Sequence, residues 1–137
     1  MSNKFLNKNH TLLDRLPSVK GKYFSFKPLA NKTWFRVGGP AEILYTPLDI
    51  EDLQSFLKRK PTNVPITILG RASNLLIRDG GIPGVSIILG KAFNYIKKTE
   101  NIVTCGANTV SPNVARFCRD HAISGLEFLI GIPGTIG

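Results

Sequence analysis

One short loop has the residue types that can bind an anion. It follows an apolar run at residues 66–69 and precedes a second one at 75–77. The loop consists of Gly70, Arg71, Ala72, Ser73, Asn74 and Leu75. Successive backbone N–H groups in such a loop can converge on a phosphate without any helix. Gly70 permits close approach of a ligand, the Ser73 hydroxyl can donate, and the Arg71 guanidinium can add a bidentate contact. The same residues also suit a plain tight turn, so the loop alone leaves both interpretations open.

A second segment is rich in glycine and poor in side chains. It follows the apolar residues 126–130 and consists of Gly131, Ile132, Pro133, Gly134, Thr135, Ile136 and Gly137. A backbone with so few side chains lets a flat ligand lie against it. On composition alone, a C-terminal linker is the competing interpretation.

Two familiar phosphate motifs are excluded by spacing. Between Gly84 and the Gly90-Lys91 pair lie five residues where a P-loop has four, and Ala92 stands where a hydroxyl should bind magnesium. The glycines of 131–137 follow G-x-x-G-x-x-G, which is not the dinucleotide-binding fingerprint.

The cysteines and histidines give no metal site. Cys105 and Cys118 form no C-x-x-C motif, and His10 and His121 stand alone. We interpret the cysteines as free thiols in a reducing compartment, although a disulfide is compatible with the sequence. The spacing gives no support for zinc.

The net charge of +9 is concentrated near the N-terminus. Residues 1–33 carry seven Lys and Arg against Asp14 alone, hence 7 − 1 = +6. This composition predicts that residues 1–30, the basic leader, are a solvated and largely disordered extension. The leader has no apolar stretch typical of a secretory signal, and no run of about eighteen apolar residues predicts a transmembrane helix.

The apolar patterns predict an α+β chain. A helix is expected over residues 49–60, with Asp49 as N-cap and an apolar stripe of Ile50, Leu53 and Leu57. A second helix should begin at Ser111 as N-cap and stop at Gly125. Strands are expected at residues 34–37, 41–45, 66–69, 75–77, 85–89 and 102–105. We place the boundary between two small units near residue 90.

Three strings in this order resemble the motifs of one enzyme family. They are T-W-F-R-V-G-G-P-A-E at 33–42, L-G-R-A-S-N-L-L-I at 69–77 with D-G-G-I-P-G-V behind it, and G-L-E-F-L-I-G-I-P-G-T-I-G at 125–137. The family is that of the UDP-N-acetylenolpyruvoylglucosamine reductases, also called UDP-N-acetylmuramate dehydrogenases. Residues 1–30 resemble nothing in it.

The resemblance implies an FAD-binding domain of the p-cresol methylhydroxylase and vanillyl-alcohol oxidase type, built of two small α/β subdomains. The first would span residues 31–90 and the second, incomplete, 91–137. Residues 70–75 would hold the pyrophosphate of noncovalent FAD, and 131–137 would lie along the flavin. One departure is Ala72, where the family has glycine. If that position needs a positive φ, alanine costs about 1 kcal/mol.

The resemblance also implies a function for the longer protein. NADPH would reduce the FAD, and the substrate would be a nucleotide sugar, UDP-N-acetylglucosamine enolpyruvate, in peptidoglycan precursor synthesis. We expect a cytoplasmic monomer with no nucleic-acid or membrane partner. The family's catalytic residues and substrate domain lie after its flavin-contacting segment. We therefore expect an N-terminal fragment with no catalytic residue and no reductase activity of its own.

Two alternatives stay open. The first is another FAD oxidoreductase of the same superfamily. The second is a basic RNA-binding module without catalysis, in which aromatic and basic side chains alternate on one face. Its candidate cluster consists of Lys20, Lys22, Tyr23, Phe24, Phe26 and Lys27.

Overall fold

A four-stranded mixed sheet forms the larger part of the structure. The computed structural model describes residues 11–137. The strands are β1 (Lys22–Pro28), β2 (Pro40–Thr46), β3 (Ile66–Ile68) and β4 (Ile82–Ile87), in the order β1-β2-β4-β3. β1 pairs antiparallel with β2, whereas β2, β4 and β3 are mutually parallel. Helix α1 (Ile50–Arg59) makes the crossover from β2 to β3.

The remaining elements form a smaller unit. Strands β5 (Ile96–Thr99) and β6 (Ile102–Cys105) make an antiparallel hairpin, which α2 (Ser111–Asp120) follows. Single 3₁₀ turns lie at Leu12–Arg15, Ala30–Lys32, Lys91–Phe93 and Glu127–Gly131. This arrangement confirms the α+β class. The subdomain boundary near residue 90 stays a prediction. Within residues 11–137, neither α-helix is long and apolar enough to cross a bilayer.

The large sheet is covered on both faces, because β2 has buried residues on each side. One face carries the cluster of Ile43, Tyr45, Phe56, Val64, Val85 and Ile87. The other carries the cluster of Leu29, Ala41, Leu44, Leu69 and Ile77. A register shift between Ala41 and Ile43 interrupts the strand's alternation and leaves Ala41 in the second cluster.

Helix α1 confirms one part of its prediction and corrects another. The Asp49 carboxylate caps the helix by accepting from the Asp52 N–H at 2.8 Å. The predicted stripe is confirmed for Leu53, which packs against the first core cluster, but is wrong for Ile50 and Leu57, which are 54% and 45% exposed. The buried residues of the helix are Asp52 and Phe56, one turn apart.

The prediction of a disordered basic leader is wrong for residues 11–30. β1 pairs with β2 along its length, and Leu29 is fully buried. Leu12, Leu16 and Val19 pack against the first core cluster. Charge composition misled the prediction because a few apolar side chains between the basic residues reach the core. Residues 1–10 lie outside the described part of the chain.

The aromatic and basic cluster considered for RNA lies in and just before β1. The Tyr23 ring packs 5.2 Å from the Tyr45 ring, and its hydroxyl donates to the Pro17 carbonyl at 2.9 Å. Phe24 is 39% exposed, and the Lys27 Nζ lies 5.3 Å from its ring centroid. Tyr23 therefore serves the core and presents no free face for stacking on a base.

Two predicted strands are absent. Residues 34–37 form a bend, because Arg36 (φ 55°) and Gly38 (φ 114°) adopt left-handed backbone conformations. Residues 75–77 are irregular as well; Ile77 is buried, but Leu76 is 76% exposed. Short apolar runs indicate burial poorly when a neighbouring loop dictates the path of the chain.

The ends of α2 differ from the prediction by a few residues. Val110 is the N-cap and Ser111 the first helical residue, whereas Pro112 lies in the first turn as expected. The helix ends at Asp120, before Gly125, in a Schellman motif. Ala122 (φ 53°) takes its left-handed position, and the Ile123 N–H donates to the Cys118 carbonyl at 2.9 Å.

Both cysteines are free thiols, as predicted. Cys118 is buried in α2 and Cys105 is half-buried in β6. Burial, with the neighbouring Cys105 and Glu127, raises the pKa of the Cys118 thiol. It therefore stays protonated at neutral pH.

Candidate functional site

The structure brings the two glycine-rich segments into contact. The loop at 70–75 follows β3 at the carboxyl end of the parallel strands, the edge at which open α/β sheets bind ligands. A Cβ placed on Gly134 would lie 3.6 Å from the Ser73 Oγ. A Cβ placed on Gly70 would lie 3.5 Å from the Thr135 Oγ1. Segments about sixty residues apart in the sequence thus face each other across a narrow gap.

Backbone pairing fixes the second segment in place. Val110 and Thr135 form an isolated antiparallel bridge, and the Ile136 N–H donates to the Thr109 carbonyl at 2.9 Å. The Gly137 N–H donates to the Ala107 carbonyl, also at 2.9 Å. Residues 134–137 therefore belong to the smaller unit, beside the start of α2.

A cleft of about 320 Å³ lies where the two segments meet. Its lining residues are Lys32, Thr33, Trp34, Arg71, Ser73, Val110, Pro112, Pro133 and Gly134. The charged groups among them, Lys32 and Arg71, are both cationic, and the first turn of α2 adds the positive end of a helix dipole. The cleft therefore suits an anionic ligand with an apolar portion.

The loop at 70–75 offers backbone donors to such a ligand. None of the N–H groups of residues 70–74 donates a hydrogen bond to the described part of the chain, whereas Leu75 closes a turn over residues 73–74. The Ser73 hydroxyl and the Arg71 guanidinium line the same cleft. Free N–H groups beside a hydroxyl and a guanidinium are the donor set that a pyrophosphate requires. The residues present therefore fit the pyrophosphate of FAD.

Ala72 occupies a left-handed conformation at the centre of this loop. Its φ is 50°, its side chain is buried, and its carbonyl accepts from the Trp34 N–H at 3.3 Å. The position therefore requires a positive φ, as considered for the family glycine that alanine replaces here. The left-handed conformation costs an alanine about 1 kcal/mol.

Other glycines of the motifs serve packing. A Cβ on Gly39 would collide with the Asp79 carbonyl oxygen, and one on Gly81 with that of Pro40. The turn at 38–40 therefore lies directly against the turn at 79–81. The two turns thus place the N-terminal ends of β2 and β4 next to each other.

The predicted site residues divide into two groups. Arg71, Ser73, Pro133 and Gly134 line the cleft, with Gly70 and Thr135 at their contact. The side chains of Leu75, Ile132 and Ile136 are 37–44% exposed and do not line it. The roles of individual residues toward a ligand stay predictions.

Sequence reasoning missed five lining residues. They are Lys32, Thr33, Trp34, Val110 and Pro112. Val110 and Pro112 could have been found from the start of α2, since helix N-termini favour anions. Trp34 could have been noticed in the sequence as the single tryptophan of the chain, shortly before the Gly38-Gly39 pair.

A larger groove of about 440 Å³ lies elsewhere, beside α1. The buried carboxylate in its lining, that of Asp52, already accepts from three backbone N–H groups and the Tyr45 hydroxyl. A carboxylate satisfied in this way has little capacity for a ligand. In the described residues, no group of three or more His, Cys, Asp or Glu could hold a metal ion.

Comparison with known proteins shows which family the chain resembles. Residues 41–137 match the family described as FAD binding domain. The chain is 48% identical over 126 residues to the UDP-N-acetylenolpyruvoylglucosamine reductase of Rhodospirillum rubrum, covering 92% of this chain and 40% of that protein. It is 52% identical over 122 residues to the reductase of the same name from Rickettsia prowazekii, covering 89% of this chain and 41% of the relative.

A solved structure gives the same result. The crystal structure of UDP-N-acetylenolpyruvylglucosamine reductase from Thermus caldophilus superposes with a TM-score of 0.66 at 32% identity. The match covers 88% of this chain and 41% of that one. The chain therefore spans about two fifths of the length of the relatives it matches. The family resemblance seen in the three motifs is confirmed. The prediction that residues 1–30 resemble nothing in the family is wrong, because a match over 126 of 137 residues leaves at most eleven outside it.

Proposed function

Because this chain belongs to the FAD binding domain family, we propose that its cleft holds FAD as the flavin-binding part of a UDP-N-acetylenolpyruvoylglucosamine reductase. One observation carries the site assignment. The N–H groups of residues 70–74, free within the described chain, lie at a cleft that Gly134 completes from the other unit. A single ligand touching both segments explains why two glycine-rich stretches converge.

The residues of the cleft would make different contacts with FAD. The loop N–H groups and the Ser73 hydroxyl would donate to the pyrophosphate oxygens. Arg71 and Lys32 would offset the negative charge, in a cleft lined by no carboxylate. Pro133 and Gly134 would let a flat part of the ligand approach the backbone. We propose that binding is noncovalent; no His or Cys is among the residues that line the cleft in the described chain.

The reaction that we propose is the reduction of UDP-N-acetylglucosamine enolpyruvate in peptidoglycan precursor synthesis. When bound, FAD supplies the hydride that NADPH provides and that the enolpyruvyl double bond accepts. The described residues contribute binding, orientation and charge compensation. We infer that the nucleotide-sugar substrate and NADPH are the partners, that the protein is a monomer, and that its compartment is the cytoplasm.

Flavin titration with a matched pair of variants tests this proposal. Arg71→Gln removes a cation that lines the cleft, and we expect about tenfold weaker FAD binding, in line with a lost charge-assisted contact. Arg116→Gln makes the same change on the exposed side of α2, where the guanidinium bonds Asn113, and should bind FAD as the parent does. Calorimetry gives both dissociation constants. A parent chain that binds no FAD, or equal losses in both variants, would refute the assignment.

A further inference from the structure

Trp34 is an exposed aromatic residue at the edge of the cleft. It is the only tryptophan of the chain, and 72% of its side chain is exposed. Tryptophan buries most of its surface in the average protein, so an exposed one points to a contact that the free chain does not make. The adjoining Phe35 is also exposed, at 63%, but does not line the cleft.

The backbone that carries Trp34 is held firmly. Leu29 is fully buried, and the Thr33 N–H donates to its carbonyl at 3.2 Å. The Thr33 hydroxyl, itself buried, lies 3.1 Å from the Ala30 carbonyl oxygen and 3.0 Å from that of Val37. This support fixes the backbone from which the exposed ring projects, which lowers the entropic cost of a contact.

Trp34 is also tied to the anion-binding loop. Its N–H donates to the carbonyl of Ala72, between Arg71 and Ser73. The indole shares the cleft with both of these side chains and with Gly134. An aromatic face next to cations and free N–H groups is suited to a ligand that joins a phosphate to a planar ring.

We infer that Trp34 is a stacking platform for a heteroaromatic ring attached to the phosphate that residues 70–75 hold. This inference rests on the proposed function and adds to it a positioning residue outside the two glycine-rich segments. In FAD the ring is either adenine or isoalloxazine, since both are planar and linked to the same pyrophosphate. Stacking on a base does not depend on the pattern of hydrogen bonds at its edge.

The test compares neighbouring exposed aromatics by calorimetry with FAD. Trp34→Leu should weaken binding by about tenfold or more, as expected for one lost aromatic stack. Trp34→Phe, which keeps a smaller ring, should recover most of the affinity. Phe35→Leu is the matched control and should bind as the parent does. Melting temperatures of all variants should agree within a few degrees, because both side chains are exposed.

Two shorter ligands identify the ring. Titration with ADP and with FMN, each against the parent and Trp34→Leu, shows which half of FAD loses affinity with the indole. The inference fails if the parent binds FAD and Trp34→Leu binds it equally well, or if Phe35→Leu loses as much. A parent that retains no FAD at all overturns the proposed function itself, and the stacking role with it.

Discussion

At the scale of single residues, Ala72 has a backbone conformation that is unfavourable for alanine. The loop needs a left-handed conformation there, and alanine adopts it at φ 50°. Its carbonyl is bonded to Trp34, so the loop cannot relax without losing that contact. The strain is therefore retained beside the proposed pyrophosphate site.

Replacing this alanine should relieve the strain. We expect Ala72→Gly to raise the free energy of unfolding by about 1 kcal/mol, because glycine has no Cβ to clash at positive φ. FAD affinity should rise as well, since the backbone can then approach the phosphate more closely. Urea denaturation and FAD titration measure the two effects.

Ala122→Gly is the matched control for this experiment. Ala122 has a φ of 53° and follows α2, whose ten residues span about 15 Å from the cleft-facing end. Stability should increase by a similar amount while FAD affinity stays constant. Equal affinity gains in both variants would show that the effect on binding is not local to the loop.

At the scale of elements, the buried Asp52 of α1 joins three segments of the first unit. Its carboxylate accepts from the Lys20 N–H at 2.7 Å, the Gly21 N–H at 2.8 Å, the Tyr45 hydroxyl at 2.9 Å and the Leu48 N–H at 3.0 Å. Burial alone would raise the pKa of this carboxyl, but these hydrogen bonds outweigh it and lower the pKa below its ordinary value. α1 is thereby fixed to β2 and to the segment before β1.

The hydrogen bonds accepted by the buried Asp52 carboxylate predict that stability depends on pH. Since the pKa is lower in the folded chain, the carboxylate stabilises fully above the unfolded pKa of about 4 and loses this effect as pH falls further. Asp52→Asn should reduce the free energy of unfolding at pH 7 by about 3 kcal/mol, because an amide cannot accept all four bonds. The variant should then lose less stability than the parent when the pH falls from about 5 to about 3, that is, about one unit on either side of the unfolded pKa.

Asp49→Asn provides the comparison for that variant. It makes the same chemical change on the same helix, but asparagine is an equally good N-cap. Its stability at pH 7 should stay within about 0.5 kcal/mol of the parent. If Asp49→Asn lowers the free energy of unfolding as much as Asp52→Asn does, the charge on the helix is responsible and not the hydrogen bonds of the buried Asp52.

The segment before β1 gives a further test of the corrected view of the N-terminal region. Leu16 packs against the first core cluster, whereas Leu13 in the same segment is exposed and does not. Leu16→Ala should lower the free energy of unfolding by about 2 kcal/mol, at the lower end for core leucines because Leu16 is only half-buried. Leu13→Ala should have almost no effect. Thermal unfolding compares the two, and equal stability would restore the disordered-leader hypothesis.

At the scale of the whole molecule, the cleft forms between two units that do not share a sheet. The larger unit contributes Arg71 and Ser73 from the end of β3, and the smaller one contributes Gly134 and the start of α2. A ligand in the cleft contacts both units and stabilises their arrangement. FAD should therefore raise the melting temperature in a concentration-dependent way.

We expect the 137-residue chain to bind FAD without reducing the substrate. A proton must reach the substrate as well as the hydride, which needs an acid within hydrogen-bond distance. Among the lining residues there is no carboxyl, imidazole or thiol group that could supply this proton. The measurement is NADPH oxidation that depends on UDP-N-acetylglucosamine enolpyruvate, with excess FAD. Turnover above a protein-free control would show that a residue described here is catalytic.

The sequence by itself determined the features that depend on neighbouring residues. Asp49 could be identified as a helix cap, 66–68 as a strand and 70–75 as an anion-binding candidate, because each depends on a few adjacent residue types. The expected burial of that strand is wrong, since Ile68 is 60% exposed. The three motif strings also identified the family, since their residues and their order along the chain can be read without knowledge of any tertiary contact.

Only the tertiary structure decided what depends on distant partners. The polar Asp52 is buried because Lys20, Gly21 and Tyr45 reach its carboxylate, and no local pattern contains those partners. The basic segment before β2 became a strand because the edge of β2 needed a hydrogen-bonding partner, which outweighs composition. The cleft exists because pairing between 107–111 and 134–137 aims Gly134 at Ser73, and such long-range pairing is specified by the whole fold.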